Sequence, residues 1–233
     1  MRRLLTSVIC AAIVAIAVPA APAAAIVRGS VDHNAHRYVG ALLAPSGHTI
    51  CSGVLVASQR FGSVFLTSAH CVGRGGNDQE VRITFGATVA SGPTVTGTVH
   101  VMPGYVPSTF ANDIAVVVLN RLTGILPVSL AHADTVLRRG TTVTTVGYGV
   151  SDVGVRKFAT EIVTRSGSVW LNLLPGSGNS CNRDSGGPDL INPHPGHSST
   201  PVVVALTDQG SCGRDQDFLV TGAAVHHFVD NLS

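Results

Sequence analysis

The chain has 233 residues, of which 45% are hydrophobic, and its formal net charge is +2 at pH 7. The 15 basic and 13 acidic residues form no long run of one sign, so neither a basic stripe for nucleic acid nor an acidic tail is predicted. The ten histidines are scattered without metal-ligand spacing, and we expect no metal and no other cofactor.

The first 25 residues have the layout of a secretory signal peptide. Two arginines precede an apolar run over residues 4–18, and the small-residue tract over 20–25 offers an A-x-A cleavage site. A membrane anchor is disfavoured because a spanning helix needs roughly 20 apolar residues. We therefore expect a secreted, extracellular protein that starts at Ile26 and is not bound to a membrane.

The cysteines indicate disulfide bonds. One of the five lies in the expected signal peptide, and the remaining four are an even number, as is typical of secreted proteins. Three pairings are open, of which the simplest joins neighbours: Cys51 with Cys71 and Cys181 with Cys212. None of the four stands in a C-x-x-C pair, so a zinc site is not favoured.

The mature chain consists of short β segments separated by Gly, Pro, Asn and Asp. This pattern predicts an all-β sandwich or barrel. One helix is expected at the C-terminus, over residues 223–232, because its apolar residues recur at helical spacing. The predicted strands are 41–43, 52–56, 63–67, 81–85, 95–101, 114–119, 141–146, 161–164 and 202–206.

Residues 181–188, Cys-Asn-Arg-Asp-Ser-Gly-Gly-Pro, carry the strongest chemical signal. A serine hydroxyl is a weak nucleophile at neutral pH unless a base takes its proton. It also needs an exposed, tightly turned backbone, which flanking glycines permit. Ser185 is thus the candidate nucleophile, although the same letters alone also fit a Gly-Pro surface turn.

Two other segments supply partners for this serine. His70 follows the apolar strand 63–67 and adjoins Cys71, whose disulfide would hold its backbone in place. Asp113 leads into the apolar run 116–119, where a buried carboxylate is costly unless it is paired, and the imidazole N–H of His70 is the economical partner. Taken alone, Asp113 is better explained as an ordinary residue at a strand start.

Together, the order His70, Asp113, Ser185 and the residues around them resemble the chymotrypsin-like (trypsin-type) serine peptidase family. The resemblance covers essentially the whole mature chain. The segments that resemble the family's mature N-terminus, the strand before its histidine and its G-W-G element are residues 26–29, 51–55 and 147–149.

The resemblance implies a fold of two six-stranded antiparallel β-barrels with a C-terminal helix. We expect the first barrel over residues 26–125 and the second barrel with the helix over 126–233, since the sequence has a mild break near this boundary. The first barrel would carry His70 and Asp113 and the second Ser185, so that the site lies in the cleft between them.

The resemblance also implies a secreted serine endopeptidase that hydrolyses a peptide or protein substrate through an acyl-enzyme on Ser185. His70 would be the general base, and Asp113 would hold its imidazole in the correct tautomer. The backbone amides of Arg183 and Ser185 would form the oxyanion hole. The two neighbouring cysteine pairs match two disulfides of the family, and we expect a monomer without a nucleic-acid partner.

The family also implies how the N-terminus is used. Asp184 resembles the aspartate that pairs with the new α-amino group of the mature chain. Because Ala25 directly precedes Ile26, cleavage by signal peptidase would itself create this terminus. The enzyme would then be active on secretion, without a zymogen stage.

Arg183 departs from the family, which almost always has Gly at this position. A side chain there restricts the backbone turn or crowds the leaving-group side. The alternative hypothesis is therefore a secreted binding or effector protein with the same fold and with weak or no peptidase activity. Esterase action is a further possibility that the same three residues permit.

The predicted substrate pocket contains Asn179, six residues before Ser185, and a wall formed by Thr207, Asp208 and Gln209. Asn179 stands where trypsin has the aspartate that selects Arg and Lys, so a trypsin-like preference is not predicted. Acidic residues that could restore negative charge there are interpreted as solvated loop charges; they are Asp208, Asp215 and Asp217.

Overall fold

A computed structural model describes residues 26–58, 62–72, 76–149, 154–192, 200–210 and 212–233. The expected signal peptide, residues 1–25, lies outside the described residues. Thirteen β-strands and one α-helix are present in the described part of the chain. No helix there is both long enough and apolar enough to span a bilayer.

Six antiparallel strands form the first barrel. They are β2 (Val39–Leu43), β3 (Thr49–Ser58), β4 (Ser63–Thr67), β5 (Glu80–Thr84), β6 (Thr94–Val101) and β7 (Ala115–Leu119). The order around the barrel is β2, β3, β4, β7, β6, β5, and β5 pairs back to β2 to close it. A short 3₁₀ turn, Ala69–Cys71, follows β4 and carries the candidate histidine.

The second barrel also has six antiparallel strands. They are β8 (Thr142–Gly147), β9 (Lys157–Ser166), β10 (Trp170–Pro175), β11 (Pro188–Ile191), β12 (Val202–Gly210) and β13 (Asp215–Leu219). The order is β8, β9, β10, β13, β12, β11, and β11 pairs back to β8. The two-residue strand β1 (Ser30–Val31) pairs with the outer edge of β9, and helix α1 (Ala223–Asp230) ends the fold.

The alternation of side chains in β4 shows how the barrels are joined. All five residues of this strand are buried, because one face fills the first barrel and the other faces the second. Phe65 packs inside the first barrel with Leu42 and Val117, whereas Val64 and Leu66 belong to a cluster that includes residues of both barrels. The expected fold of two six-stranded antiparallel barrels with a C-terminal helix is confirmed.

All nine predicted strands are present, β4 with the predicted ends and the other eight with shifted ends, and the helix ends at Asp230 rather than at residue 232. The sequence missed β1, β10, β11 and β13. The last two contain Asp189 and the pair Asp215 and Asp217, which interrupt the apolar pattern. The predicted boundary at residue 125/126 lies in the connection between β7 and β8 and stays a prediction.

Arg156 links the second barrel to the first. Its side chain is fully buried, and its Nε donates to Asp32 Oδ2 at 2.7 Å. Its Nη1 donates to the carbonyl oxygens of Val39 at 3.0 Å and Phe85 at 3.1 Å, both in or next to strands of the first barrel. The hydroxyl of Tyr148 is also 3.0 Å from Nη1. One guanidinium thus satisfies backbone acceptors on the opposite side of the barrel interface.

We predict that Arg156→Met lowers the free energy of unfolding by about 3–5 kcal/mol, because it removes the guanidinium from the buried Asp32 carboxylate, which keeps only its contacts with His36. Urea unfolding followed by circular dichroism measures the change. The matched control is Arg139→Met, at an exposed position, which should stay within about 0.5 kcal/mol of the parent protein. A loss below 1 kcal/mol for Arg156→Met would contradict this role.

Candidate active site

Asp113 and His70 form a closely bonded pair in the first barrel. Asp113 precedes β7 and is fully buried, and His70 lies in the 3₁₀ turn with its side chain 25% exposed. One carboxylate oxygen accepts the backbone N–H of His70 at 2.7 Å, and the other is 2.6 Å from its Nδ1. These two bonds set the position of the imidazole and leave Nε2 as the ring atom that can accept a proton.

The His70 backbone is held from both sides. Cys71 is bonded to Cys51 in β3, which attaches the 3₁₀ turn to the barrel wall. The ring of Phe110 stands edge-on to the imidazole, with ring centroids 5.6 Å apart. The predicted disulfides, Cys51–Cys71 and Cys181–Cys212, are both present.

Ser185 lies in the loop between β10 and β11 and contacts the first barrel directly. Its carbonyl oxygen accepts the backbone N–H of Ser52 at 2.9 Å. The next residue, Gly186, has φ +80°, and a Cβ there would lie 2.2 Å from Thr67 Oγ1 and 2.5 Å from the Ser52 carbonyl oxygen. Only glycine allows the nucleophile loop to approach this closely. His70 and Ser185 are therefore brought to the interface of the two barrels from opposite sides.

The nucleophile loop is tightly turned, with Asp184 N–H donating to the Cys181 carbonyl at 3.0 Å and Gly187 N–H to the Asp184 carbonyl at 2.8 Å. Arg183 adopts φ +69° with an exposed side chain, so it takes the left-handed conformation that glycine adopts freely. In the described part of the chain, the amides of Arg183 and Ser185 donate to no protein group. Both N–H groups are thus available to a ligand.

The residue that starts the expected mature chain lies beside Asp184. Ile26 is fully buried, and its backbone N donates to Asp184 Oδ2 at 3.1 Å, which also accepts the Cys181 N–H at 3.0 Å. Burial raises the pKa of Asp184 to about 7, against the lowering effect of these backbone hydrogen bonds. A free ammonium group at Ile26 would favour the ionised carboxylate.

The predicted pocket residues lie in different surroundings. Asn179 is buried, forms a β-bridge with Val27, and donates from Nδ2 to the Ser180 carbonyl at 2.7 Å. Thr207 is buried in β12, and its carbonyl accepts the Gly186 N–H at 2.7 Å. Gln209 is exposed at the end of the same strand.

The side chain of Asp208 lies against the His70–Asp113 pair. Its Oδ1 is 3.5 Å from His70 Nδ1, and its carbonyl oxygen is 3.5 Å from Ser185 Oγ. The sequence predicts Asp208 in the wall of the substrate pocket and does not indicate this contact with His70. In the sequence, Asp208 follows the apolar run 203–206 and Thr207, which are buried in β12. An unpaired carboxyl is costly at the end of a buried strand, so this pattern could have indicated that Asp208 needs a partner.

A group of carboxyls fills the interior of the second barrel behind this site. They are the carboxyls of Glu161, Asp189, Asp215 and Asp217, of which Asp215 is close enough for its charge to raise the pKa of the other three. Glu161 Oε1 also accepts the backbone N–H of Ser180, next to the predicted pocket floor, at 2.8 Å. These four acids and Asp208 are all buried, so the interpretation of Asp208, Asp215 and Asp217 as solvated loop charges is wrong.

Burial raises the pKa of each acid in this group. Desolvation, followed by the charges of Asp215 and Asp217, raises the pKa of Glu161 to about 10. Desolvation also raises the pKa of Asp189 and Asp217 well above the ordinary value for aspartate. At neutral pH, Glu161 is therefore protonated, and the ionised forms of Asp189 and Asp217 are disfavoured.

Two sets of side chains in the described residues are close enough to share a metal ion, with ligand atoms within 4.8 Å of one another. In the set of Cys51, His70 and Cys71, both sulfurs are in a disulfide. In the set of His70, Asp113 and Asp208, both Asp113 oxygens already accept hydrogen bonds from His70. We assign neither set as a metal site.

One protein-family model matches the sequence of this chain, and solved structures match its fold. The family model described as Trypsin matches residues 26–226, whereas no curated protein matches the sequence significantly. The VesB protease of Vibrio cholerae has a similar structure, with a TM-score of 0.67 and 19% identity over 84% of this chain. The match spans 64% of the VesB chain, less than two-thirds of its length.

A second similar structure is the human heparin binding protein. Its TM-score is 0.70 and its identity 18%, and the match covers 88% of this chain and 96% of the human chain. At these levels of identity, the two solved structures show a shared fold.

We predict that the folded protein is more stable at pH 5 than at pH 9, by about 1 kcal/mol or more, the equivalent of one pKa unit. The folded-state pKa of Glu161 is raised to about 10 and that of Asp208 to about 9, so folding binds protons that the unfolded chain releases above about pH 4–4.5. This stabilisation is complete below the unfolded pKa and is lost as the pH rises through the folded pKa.

Urea unfolding at pH 5, 7 and 9 measures this dependence. Glu161→Gln should reduce the decline with pH, whereas Glu80→Gln, at an exposed position, should leave it unchanged. A free energy of unfolding that stays constant or rises from pH 5 to pH 9 would contradict the protonated state of these carboxyls.

Proposed function

Because the chain belongs to the trypsin family, we propose that it is a serine endopeptidase that hydrolyses peptide bonds through an acyl-enzyme on Ser185. The observation that carries this proposal is the pair of bonds from Asp113 to the backbone N and Nδ1 of His70, at 2.7 and 2.6 Å. They select the tautomer in which Nε2 can act as a base. The placement of Ser185 on the opposite side of the barrel interface supports the role of nucleophile.

The proposed reaction begins when Ser185 Oγ attacks the carbonyl carbon of the scissile bond and its proton passes to His70 Nε2. His70 then returns this proton to the leaving amine as the C–N bond breaks, which leaves an acyl group on the serine. Water, deprotonated in the same way, releases the acid product. Asp113 stabilises the imidazolium that forms in each half-reaction without itself being protonated.

The carbonyl oxygen becomes negatively charged in each addition step. We assign the oxyanion hole to the backbone amides of Arg183 and Ser185, which are unengaged in the described structure. The left-handed φ of +69° at Arg183 supports this assignment, because the arginine takes a conformation open to glycine. Its side chain is exposed and therefore does not fill the nucleophile loop.

The proposed substrate is a peptide or protein, bound in the cleft by a monomer. We place the substrate pocket at Asn179, Thr207 and Gln209. Asn179 carries no charge, and its Nδ2 is already bonded to the Ser180 carbonyl. A preference for Arg or Lys therefore does not follow from this residue. That the similar VesB is a protease supports the same class of reaction here.

A binding protein with the same fold is the second candidate function. Arg183 favours it, because a left-handed conformation costs a non-glycine residue roughly 1–2 kcal/mol. The other similar structure, the human heparin binding protein, is described by what it binds. The labelling experiment below decides between the two candidates.

We further propose that the protein is secreted and that cleavage after Ala25 produces the active chain. The supporting contact is the 3.1 Å bond between Ile26 N and Asp184 Oδ2, at a fully buried position. After cleavage this nitrogen would be an ammonium group, and the bond would become an ion pair beside the nucleophile loop. Two disulfides in the described structure are consistent with an oxidising compartment.

We predict that a fluorophosphonate probe labels the mature protein at Ser185 and that Ser185→Ala abolishes labelling. Asp113→Asn should slow labelling by about 10⁴-fold, because it favours the wrong tautomer of His70. Mass spectrometry of the labelled peptide and the rate of labelling are the measurements. Ser180→Ala, at a buried serine in the neighbouring segment, is the control and should still label. Failure to label a folded sample that starts at Ile26 would overturn the peptidase proposal and favour the binding protein.

We predict that N-terminal sequencing of the secreted protein begins Ile-Val-Arg-Gly. In that mature form, Asp184→Asn should lower the free energy of unfolding by about 3–5 kcal/mol, since it leaves a buried ammonium without its partner. Asp134→Asn, at an exposed position, is the matched control. An active preparation with another N-terminus would contradict activation by cleavage after Ala25.

A further inference from the structure

Four polar side chains form one row across the outer face of the second barrel. Arg165 in β9 is the register partner of Asn172 in β10, and Asn172 also pairs with Gln216 in β13. Gln216 in turn pairs with Gln209 near the end of β12. Direct partners in an antiparallel pair point to the same side of the sheet. The row therefore crosses four neighbouring strands and consists of one guanidinium followed by three amides.

This row faces solvent. The neighbours of Asn172 along β10, Leu171 and Leu173, are buried in the hydrophobic core, so the amide between them points outward. Arg165 and Gln209, at the two ends of the row, are exposed. In the described part of the chain, none of the four side chains has a hydrogen bond or an ion pair with another protein group. The row is thus a set of unused donors and acceptors.

A cavity of about 320 Å³ lies at the Arg165 end of the row. Arg165 and Asn172 line it together with Trp170 and the turn between β9 and β10, residues 167–169. The ring of Trp170 packs edge-on to that of Phe218, with centroids 5.5 Å apart, which holds it in place. An aromatic ring with a few polar groups in a concave site of this size is typical of a ligand-binding pocket.

The other end of the row reaches the proposed substrate pocket, because Gln209 belongs to the wall of that pocket. The residue whose carbonyl is attacked would place its side chain there, and the leaving segment would lie toward His70, which protonates the amine. The substrate segment upstream of the cut would therefore pass Gln209. Because β10 and β13 each have a paired strand on both sides, only side chains are available to bind a segment that crosses them.

We infer that this row is an extended binding site for the upstream segment of the substrate and that Arg165 selects an acidic side chain in it. The inference rests on the proposed peptidase function. Neighbouring strands lie about 4.8 Å apart, so the path across the strands from Gln209 to Arg165 is about 14 Å long. An extended peptide covers this distance in about four residues, which places the acidic residue about that far upstream of the one at Gln209.

The chemistry of each part of the row fits such a peptide. A guanidinium and a carboxylate can form two parallel hydrogen bonds, and the charge of Arg165 is not used by any acid within the described ranges. Amide side chains both donate and accept, as the backbone of an extended peptide does. Trp170 offers apolar surface to a neighbouring side chain. An acidic oligosaccharide presents similar groups, but the continuity of the row with the cleft favours the peptide.

The first test digests a peptide library derived from a proteome and identifies, by mass spectrometry, the residues upstream of every cut. It compares the mature parent protein with Arg165→Gln and with the control Arg139→Gln, the same change at an exposed position outside the row. The parent protein and the control should favour Asp and Glu in the upstream segment. Arg165→Gln should lose this preference without a change in the residue preferred at the cut. Equal upstream preferences in all three proteins would overturn the inference.

One of the cleaved peptides then serves for kinetics. Replacing its upstream Glu by Gln should lower kcat/KM about 3- to 10-fold, as expected for loss of a partly exposed hydrogen bond between charged groups. The loss should appear in KM, because this contact is remote from the reacting bond and is present in the bound substrate as well as in the transition state. Arg165→Lys, which keeps the charge, should retain part of the preference. A lower kcat with an unchanged KM would contradict a binding role.

A second measurement does not depend on catalysis. Trp170 is the only tryptophan of the chain, so the intrinsic tryptophan fluorescence reports on the cavity. Mature Ser185→Ala is titrated with a capped Ala-Ser peptide that carries one Glu, and with the same peptide carrying Gln. The Glu peptide should bind about 3- to 10-fold more tightly, and the difference should disappear when Arg165→Gln is added.

The outcomes separate this inference from the proposed function. Tighter binding of the Glu peptide, without any cleavage or probe labelling, would overturn the peptidase function and support the acidic-peptide site. Cleavage and labelling with no difference between Glu and Gln peptides would do the reverse. A fluorescence response to an oligosaccharide of glucuronate, but to neither peptide, would assign the cavity to a sugar and contradict the inference.

Discussion

The buried guanidinium of Arg156 is the interaction on which the rest of the structure depends. It extends from the second barrel and donates to Asp32 and to two carbonyl oxygens of the first. A buried cation that lost these partners would be strongly destabilising, so the two barrels are committed to one relative position. That position brings the serine loop of one barrel against the histidine turn of the other. The candidate site is therefore a property of the interface between the barrels, and neither barrel contains it alone.

The interior of the second barrel contains several buried carboxyl groups. Four anions packed together without cations would be costly to bury. Burial raises the pKa of all four acids, Glu161, Asp189, Asp215 and Asp217, so their neutral forms are favoured and take the place of apolar side chains in part of the core. Asp208, whose Oδ1 lies 3.5 Å from His70 Nδ1, is buried in the same way, and desolvation raises its pKa. Protons, rather than basic side chains, thus balance the charge behind the site.

The sequence predicted the first barrel better than the second. Strands of the first barrel, such as β4, are apolar on both faces, and hydrophobic runs bounded by turn residues are reliable strand signals. In the second barrel, β11 and β13 contain buried aspartates. Because aspartates are expected to face water, the sequence pattern did not predict strands at these two segments. The same assumption led to the wrong interpretation of Asp215 and Asp217. A carboxyl that is neutral inside the fold is indistinguishable, in the sequence, from one that is ionised in water.

The sequence by itself determined the all-β class and the candidate residues Ser185, His70 and Asp113, because each is marked by local chemistry: a serine followed by glycines, a histidine beside a cysteine, an acid before an apolar run. The two-barrel fold was implied by the family resemblance, which also matched the simplest of the three open disulfide pairings. The resemblance to the family then ordered these signals. Only the tertiary structure decided that Asp208 lies against His70 and Asp113 and that Arg156 joins the barrels. Both outcomes depend on strand register and on the packing of segments distant in the chain, so the local sequence could not specify which groups these two side chains contact.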